Sequence, residues 1–133
     1  IFLVAAFIGF AMGTSWGTIA LILPIIIGVF DASDPLFLVA VGSALAGAVY
    51  GDHISPISDT TILSSAGAKC NHLRHVATQI PYATLVMVIC FVGYIIAGIT
   101  KTPWISLGLG LVLIVVAVLV LTKMEAKRAA AEK

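Results

Sequence analysis

Between Gly51 and Thr61 the sequence reads GDHISPISDTT, which sets two carboxylates, one imidazole and four hydroxyls within eleven positions, with Pro56 at their centre. Oxygen-rich sets of this kind suit hard cations such as Na+, and a carboxylate that holds a cation can hold a proton instead. The chemistry on offer is cation and proton exchange. Asp52 follows an apolar stretch and would sit at the negative end of a helix formed there, where its charge is unfavourable until a cation or proton neutralises it. Asp59 opens the next segment, where helix capping and ion binding are both open to it, and Ser58 competes for the cap. His53 fits a proton relay or a structural hydrogen bond equally well. Ser55, Ser58, Thr60 and Thr61 each read singly as caps or packing groups. Their clustering points to an ion, with Asp52 and Asp59 as the charged ligands for Na+. Upstream, Thr14, Ser15 and Thr18 in GTSWGT either lend oxygens to the same cation or satisfy backbone at an interruption, and Trp16 reads as a packing residue.

Other polar residues carry less. His72 and His75 stand three apart in a basic stretch and read as a solvated face. Cys70 and Cys90 lie beside and within an apolar run, which indicates neither a disulfide framework nor a zinc site. There is no nucleophile elbow, Walker loop, HExxH or dinucleotide fingerprint, so no catalytic residue is assigned and enzymatic chemistry is not expected. Nor is any cofactor expected beyond the transported Na+ and H+. A formal net charge of +1 gives no reason to expect a nucleic-acid partner.

The elements that must position these groups belong in a bilayer. Hydrophobic residues make up 61% of the chain and charged residues 10%, and residues 1–30, 36–51, 76–100 and 102–122 contain no charge. A bilayer core of roughly 30 Å needs about 20 apolar residues at about 1.5 Å each. Residues 1–30 are too long for one simple span and are interrupted at residues 12–18. Two arms of about twelve residues, each too short to cross alone, predict a re-entrant hairpin, with a broken helix as the alternative, and in either case an interruption shielded from lipid. Asp34-Pro35 predicts the start of a helix over 36–50, with Ser43, Gly47 and Gly51 forming a small-residue stripe that admits another helix closely. Pro56 then breaks the helix at what should be membrane depth, leaving backbone carbonyls free for an ion, and a short helix resumes over 60–68. Residues 68–75 predict a basic loop. Two full spans follow, 76–99 and 105–121, the second lipid-facing.

The expected architecture is an all-α transmembrane bundle with a re-entrant hairpin and an interrupted helix. Residues 1–122 form the membrane domain and 123–133 a charged cytoplasmic tail. The lysine and arginine bias puts Lys69, Arg74 and the tail inside and only Lys101 outside. The absence of an initiating methionine suggests a start within a longer protein.

The string from Gly51 to Ala83, GDHISPISDTTILSSAGAKCNHLRHVATQIPYA, together with GTSWGT upstream, resembles the carboxy-terminal half of the NhaC-type sodium/proton antiporter family, which also includes malate and lactate antiporters. The likeness runs from about Ile1 to Tyr94. Within it Gly51, Asp52, Ser55, Pro56, Ser58, Asp59, Thr60 and Thr61 match the second-half motif, and Thr14, Ser15 and Trp16 match the hairpin tip. Ile54 stands where a cysteine is often expected, which leaves the oxygen groups untouched. The resemblance implies one half of an inverted-repeat secondary transporter in the inner membrane, multi-pass, with its carboxy terminus in the cytoplasm. Its implied partners are lipid, Na+, H+ and the missing amino-terminal half, and a homo-oligomer is compatible with it. Na+ for H+ exchange is the leading expectation. The alternatives are Na+- or H+-coupled exchange of an organic acid or amino acid, and a non-transporting membrane subunit or fragment.

Overall fold

A computed structural model of the chain describes the backbone of residues 1–131 and the side chains of residues 1–124. The described residues form six helices and no strand: α1 Phe2–Met12, α2 Ser15–Val29, α3 Pro35–Ile54, α4 Asp59–Gly67, α5 His72–Thr100 and α6 Pro103–Ala131. Three of these, α3, α5 and α6, are long and apolar enough to cross a membrane, whereas α1 and α2 are shorter.

Helices α1 and α2 form the hairpin. Gly13 adopts a left-handed conformation, φ 66°, and its N–H donates to the Gly9 carbonyl to close α1. A left-handed helix end is where glycine avoids the Cβ clash that other residues meet. Thr14 is extended and caps α2, its Oγ1 accepting from the Gly17 N–H at 3.4 Å. The turn is therefore tighter than residues 12–18: only Gly13 and Thr14 leave the helices, and Ser15 to Thr18 form the first turn of α2. The arms pack on each other and on α3 through a buried cluster of Ala5, Ile22, Ile26, Ala40 and Ala44.

Helix α3 begins as its sequence dictates, with the Asp34 carboxylate accepting the Leu36 N–H at 2.8 Å and Pro35 in the first turn. In the preceding loop the Ser33 backbone N–H, and then its hydroxyl, hold the exposed Asp31 carboxyl below the usual carboxylate range. Two differences from expectation matter here. Helix α3 continues through Ile54 rather than ending at Tyr50, and its 20 residues make about 30 Å, the length of a full crossing. The interruption thus comes at the end of a span and not halfway along one. Helix α5 starts at His72 rather than Val76, because Asn71 caps it by accepting the Arg74 N–H at 3.0 Å.

Helix α1 lies against α3 backbone to backbone. A Cβ on Gly51 would stand 2.0 Å from the Ala6 carbonyl oxygen, and one on Gly47 2.2 Å from that of Phe2. On the α1 side, a Cβ on Gly9 would stand 2.6 Å from the Ala48 oxygen. The expected stripe of Ser43, Gly47 and Gly51 is the surface that admits α1, and the buried Ser43 hydroxyl turns inward to the Ala40 carbonyl at 2.8 Å. Helix α5 runs antiparallel to α3. Tyr94 donates to the Gly42 carbonyl at 2.9 Å, Tyr50 meets Thr84 at 3.4 Å, and Gln79 donates to the His53 carbonyl. The ring of Phe2 fills the corner between them, 5.8 Å from the centroids of both Phe91 and Tyr94.

Helix α6 touches the rest mainly through α5, where Ser106 donates to the Gly93 carbonyl at 2.6 Å. Its leucines and valines face outward, as expected of a lipid-facing span. The helix continues past Leu121 to Ala131 through alanine, lysine and glutamate, all good helix formers. The charges of the expected tail beyond Met124 lie outside the described side chains.

The α1–α3 contact leaves no room for a methyl group. Gly51→Ala should therefore lower stability by about 3 kcal/mol or more, whereas Gly28→Ala, with nothing within 4 Å of the added carbon, should be neutral or gain up to about 1 kcal/mol. Thermal unfolding of both variants in detergent gives the comparison, and equal midpoints would contradict the packing.

Candidate functional site

Asp52 lies in the last turn of α3, two residues before the helix ends, and is 3% exposed. Its Oδ1 is buried with no hydrogen-bond partner. The neighbouring Gly51 explains the burial, since it allows the backbone of α1 at Ala6 and Phe10 to close over this turn. A carboxylate oxygen removed from water without a donor is strongly unfavourable as a bare charge and becomes acceptable once a proton or cation neutralises it.

The break itself is tied to the hairpin tip. Ser55, fully buried, donates from Oγ to the Phe10 carbonyl at 2.8 Å, one of the carbonyls left open at the end of α1. On the other side, a Cβ on Gly13 would stand 2.8 Å from the Ile57 carbonyl oxygen. The two segments singled out by their hydroxyls, residues 13–18 and 51–61, are thus brought together at one place.

The remaining groups divide. Ser58, fully buried, caps α4 by accepting the Thr61 N–H at 3.4 Å, and its hydroxyl pairs with that of Thr60 at 2.8 Å. The cap is therefore Ser58, while Asp59 is the exposed first residue of α4, its Oδ1 accepting the Thr60 N–H at 2.7 Å. Thr61 is buried and Thr60 exposed. Asp52 and Asp59 stand on either side of the break, one enclosed and one open. His53 is exposed, with Nδ1 3.1 Å from the Val49 carbonyl one turn back. At the tip, Thr14 is a cap, the buried Thr18 donates to the Thr14 carbonyl at 2.8 Å, and Ser15 is half-buried. Trp16 is 80% exposed, so the expected packing within this chain does not occur.

The backbone carbonyls expected to be open to an ion are largely occupied. Asp52 O accepts from the Ser55 N–H and Ser55 O from the Ser58 N–H. His53 O accepts from the Gln79 side-chain amide, and Pro56 O faces His72 Nε2 at 2.6 Å. His72 also meets Ser65 Oγ at 3.1 Å through Nδ1, so it belongs to the break rather than to a solvated face. His72 and Gln79 are the residues that sequence reasoning missed. The available signal was that Pro56 opens a backbone that needs donors, and these are polar side chains at the start of an otherwise apolar span.

The α3–α5 contacts also fix how deep the site lies. Asp52 stands beside the stretch from Gln79 to Thr84, which begins only about 5 Å inside the end of the apolar run that starts at Val76. The site is near the end of the span that carries Lys69 and Arg74. Among the described residues no three of His, Cys, Asp or Glu gather in a metal-binding group. Two apolar hollows, of about 770 Å³ beside Gly42, Tyr94 and Trp104 and about 490 Å³ beside Phe2, Phe30 and Ser43, are not lined by Asp52 or the break.

A sequence profile of the Na+/H+ antiporter family matches residues 1–99. The chain is 50% identical over 101 residues to an uncharacterized protein of Haemophilus influenzae, covering 75% of this chain and 20% of that protein. It is 36% identical over 80 residues to an uncharacterized Na+/H+ antiporter of Haemophilus influenzae, covering 60% of this chain and 17% of the relative. With the malate-2H+/Na+-lactate antiporter of Bacillus subtilis the identity is 34% over 97 residues, 72% of this chain and 20% of the relative. The chain spans about a fifth of the length of these curated relatives. No solved structure gives a significant match.

Among the described residues the Ser55 bond is the one side-chain hydrogen bond between the hairpin tip and the end of α3. Ser55→Ala should leave the Phe10 carbonyl unpaired and lower stability by about 1–3 kcal/mol. Ser64→Ala, which removes an exposed bond inside α4, should change it by less than about 0.5 kcal/mol. Thermal unfolding in detergent measures both, and an inert Ser55→Ala would show that the tip is held by other contacts.

Proposed function

The chain belongs to the Na+/H+ antiporter family, and from that premise we propose that it forms part of a secondary active transporter in which Na+ and H+ compete for Asp52. More finely, it lies within the carboxy-terminal half of an NhaC-type antiporter, part of one repeat of an inverted pair, working against an amino-terminal half. It lies in the inner membrane with its carboxy terminus in the cytoplasm.

One observation carries this reading: a carboxylate 3% exposed whose Oδ1 has no partner. Such a group is neutralised by one proton or one cation, and binding either expels the other, which is the minimal requirement for exchange. Hydroxyl oxygens within the same two segments, those of Ser55, Ser58, Thr61 and Thr18, are buried and retain lone pairs after their hydrogen bonds are made. They are the natural neutral ligands. Asp59, exposed at the start of α4, suits an entry position better than the bound ion itself. The site lies near the Lys69 and Arg74 end of α5, and the positive-inside bias supports a position on the cytoplasmic side.

A second reading is favoured by the similarity to a malate-2H+/Na+-lactate antiporter. In that case an organic acid or amino acid is exchanged with Na+ or H+, with the tip at Thr14 and Ser15 meeting the substrate.

The test uses the protein at its full encoded length in proteoliposomes. Asp52→Asn preserves shape but removes the titrating charge, and Na+-driven proton movement should fall to background. Asp59→Asn should retain exchange with a raised half-saturation for Na+. Unchanged exchange in Asp52→Asn rejects the assignment. Uptake of radiolabelled Na+ that requires added malate, lactate or an amino acid favours the second reading.

A further inference from the structure

Two side chains of α5 reach across to the backbone of the break. Gln79 donates its amide to the His53 carbonyl, and His72 reaches the Pro56 carbonyl at 2.6 Å. A carbonyl oxygen can only accept, so His72 Nε2 must carry the hydrogen. These two carbonyls flank Ser55, the residue that ends α3 and ties it to the hairpin tip. They lie one and four residues beyond Asp52. Both belong to backbone that Pro56 prevents from continuing as a helix, so without α5 they would turn toward whatever positive charge is nearest.

We propose that Gln79 and His72 are positioning residues for the ion site: by holding the His53 and Pro56 carbonyls, they set how many oxygens the break can offer to an ion at Asp52. The proposal rests on the Asp52 reading above. Its consequence is a coupling between α5 and ion preference. With both carbonyls held, the ion meets one carboxylate and hydroxyls. When α5 lets go, backbone oxygens become available and the coordination number rises. Ions of different size respond unequally to such a change, because a smaller ion gains less from extra ligands that crowd one another. His72 links the same clasp to α4, since its Nδ1 meets Ser65 Oγ at 3.1 Å. A shift of α5 would therefore move the capped start of α4, with Ser58 and Thr61, together with the carbonyls.

The test compares the ratio of half-saturation concentrations for Na+ and Li+ in proteoliposomes of the full encoded protein, with amide hydrogen exchange over residues 52–61 as a second readout. Gln79→Leu and His72→Leu should each shift the Na+ to Li+ ratio at least threefold and speed exchange across the break, with smaller change in the maximal rate. His72→Gln keeps an N–H donor for Pro56 and should retain the original ratio. A pair of Leu variants that transport with an unaltered ratio overturns the clasp while leaving the ion site standing, provided Asp52→Asn is inactive. Should Asp52→Asn transport normally, the ion site fails and this role of α5 fails with it. If a Leu variant does not fold well enough to transport, slow and unchanged exchange over residues 52–61 in the other variant counts against the clasp.

Discussion

The structure depends on one close contact, the passage of α1 over α3 at Gly47 and Gly51. Helices with side chains between them normally keep their axes 8–10 Å apart. Here the carbonyls of Phe2 and Ala6 occupy the space that Cβ atoms would fill on α3. In an apolar solvent, burial of further apolar surface gives little advantage, so association relies on such close packing. Helices α1 and α2 are shorter than the three candidate spans, and this contact sets where their tip meets the end of α3. From it follow the meeting of Gly13 with Ile57 and the enclosure of Asp52.

The interruption after α3 then has to be satisfied locally, because unpaired backbone in a dry environment costs several kcal/mol per group. Three neighbours supply the partners. The break closes on itself through the Ser55 and Ser58 N–H groups, the hairpin tip receives the Ser55 hydroxyl, and α5 donates from Gln79 and His72. Among the buried side-chain atoms of the described residues, the Asp52 carboxylate oxygen lacks a partner. One orphaned acid beside paired hydroxyls and carbonyls sets this break apart from a loosely packed turn, where several buried side chains would be open together.

Much of this was legible in the sequence because it depends on local rules. Asp34-Pro35 announced a helix start, the four-residue spacing of Ser43, Gly47 and Gly51 announced a helix contact, and the polar tips between short apolar arms announced the hairpin. Membership of the Na+/H+ antiporter family was legible in GDHISPISDTT. Three features were not. Pro56 predicts that the helix stops at Tyr50, one turn ahead of its clash, but α3 runs to Ile54 and only Ser55, the residue directly before the proline, turns extended. The choice between Ser58 and Asp59 as cap depends on a single dihedral, and Ser58 has the extended conformation. The roles of His72 and Gln79 depend on contacts across 16 and 26 residues, which no local pattern records.

The position of Asp52 follows from the same balance. A helix of 20 residues nearly uses up the thickness of a bilayer core, so its final turn lies near an aqueous boundary, and its C-terminal dipole disfavours negative charge there. Water could satisfy a carboxylate at such a boundary, but α1 excludes it, leaving the group 3% exposed. Depth in the lipid is therefore not what desolvates Asp52. The protein itself does so, through Gly51 and the backbone of α1 packed onto it, and the acid remains only about one or two helical turns from solvent. Enclosure and nearness to the end of the span are thus separate properties of one residue, the first set by Gly51 and the backbone packed on it, the second by the length of α3.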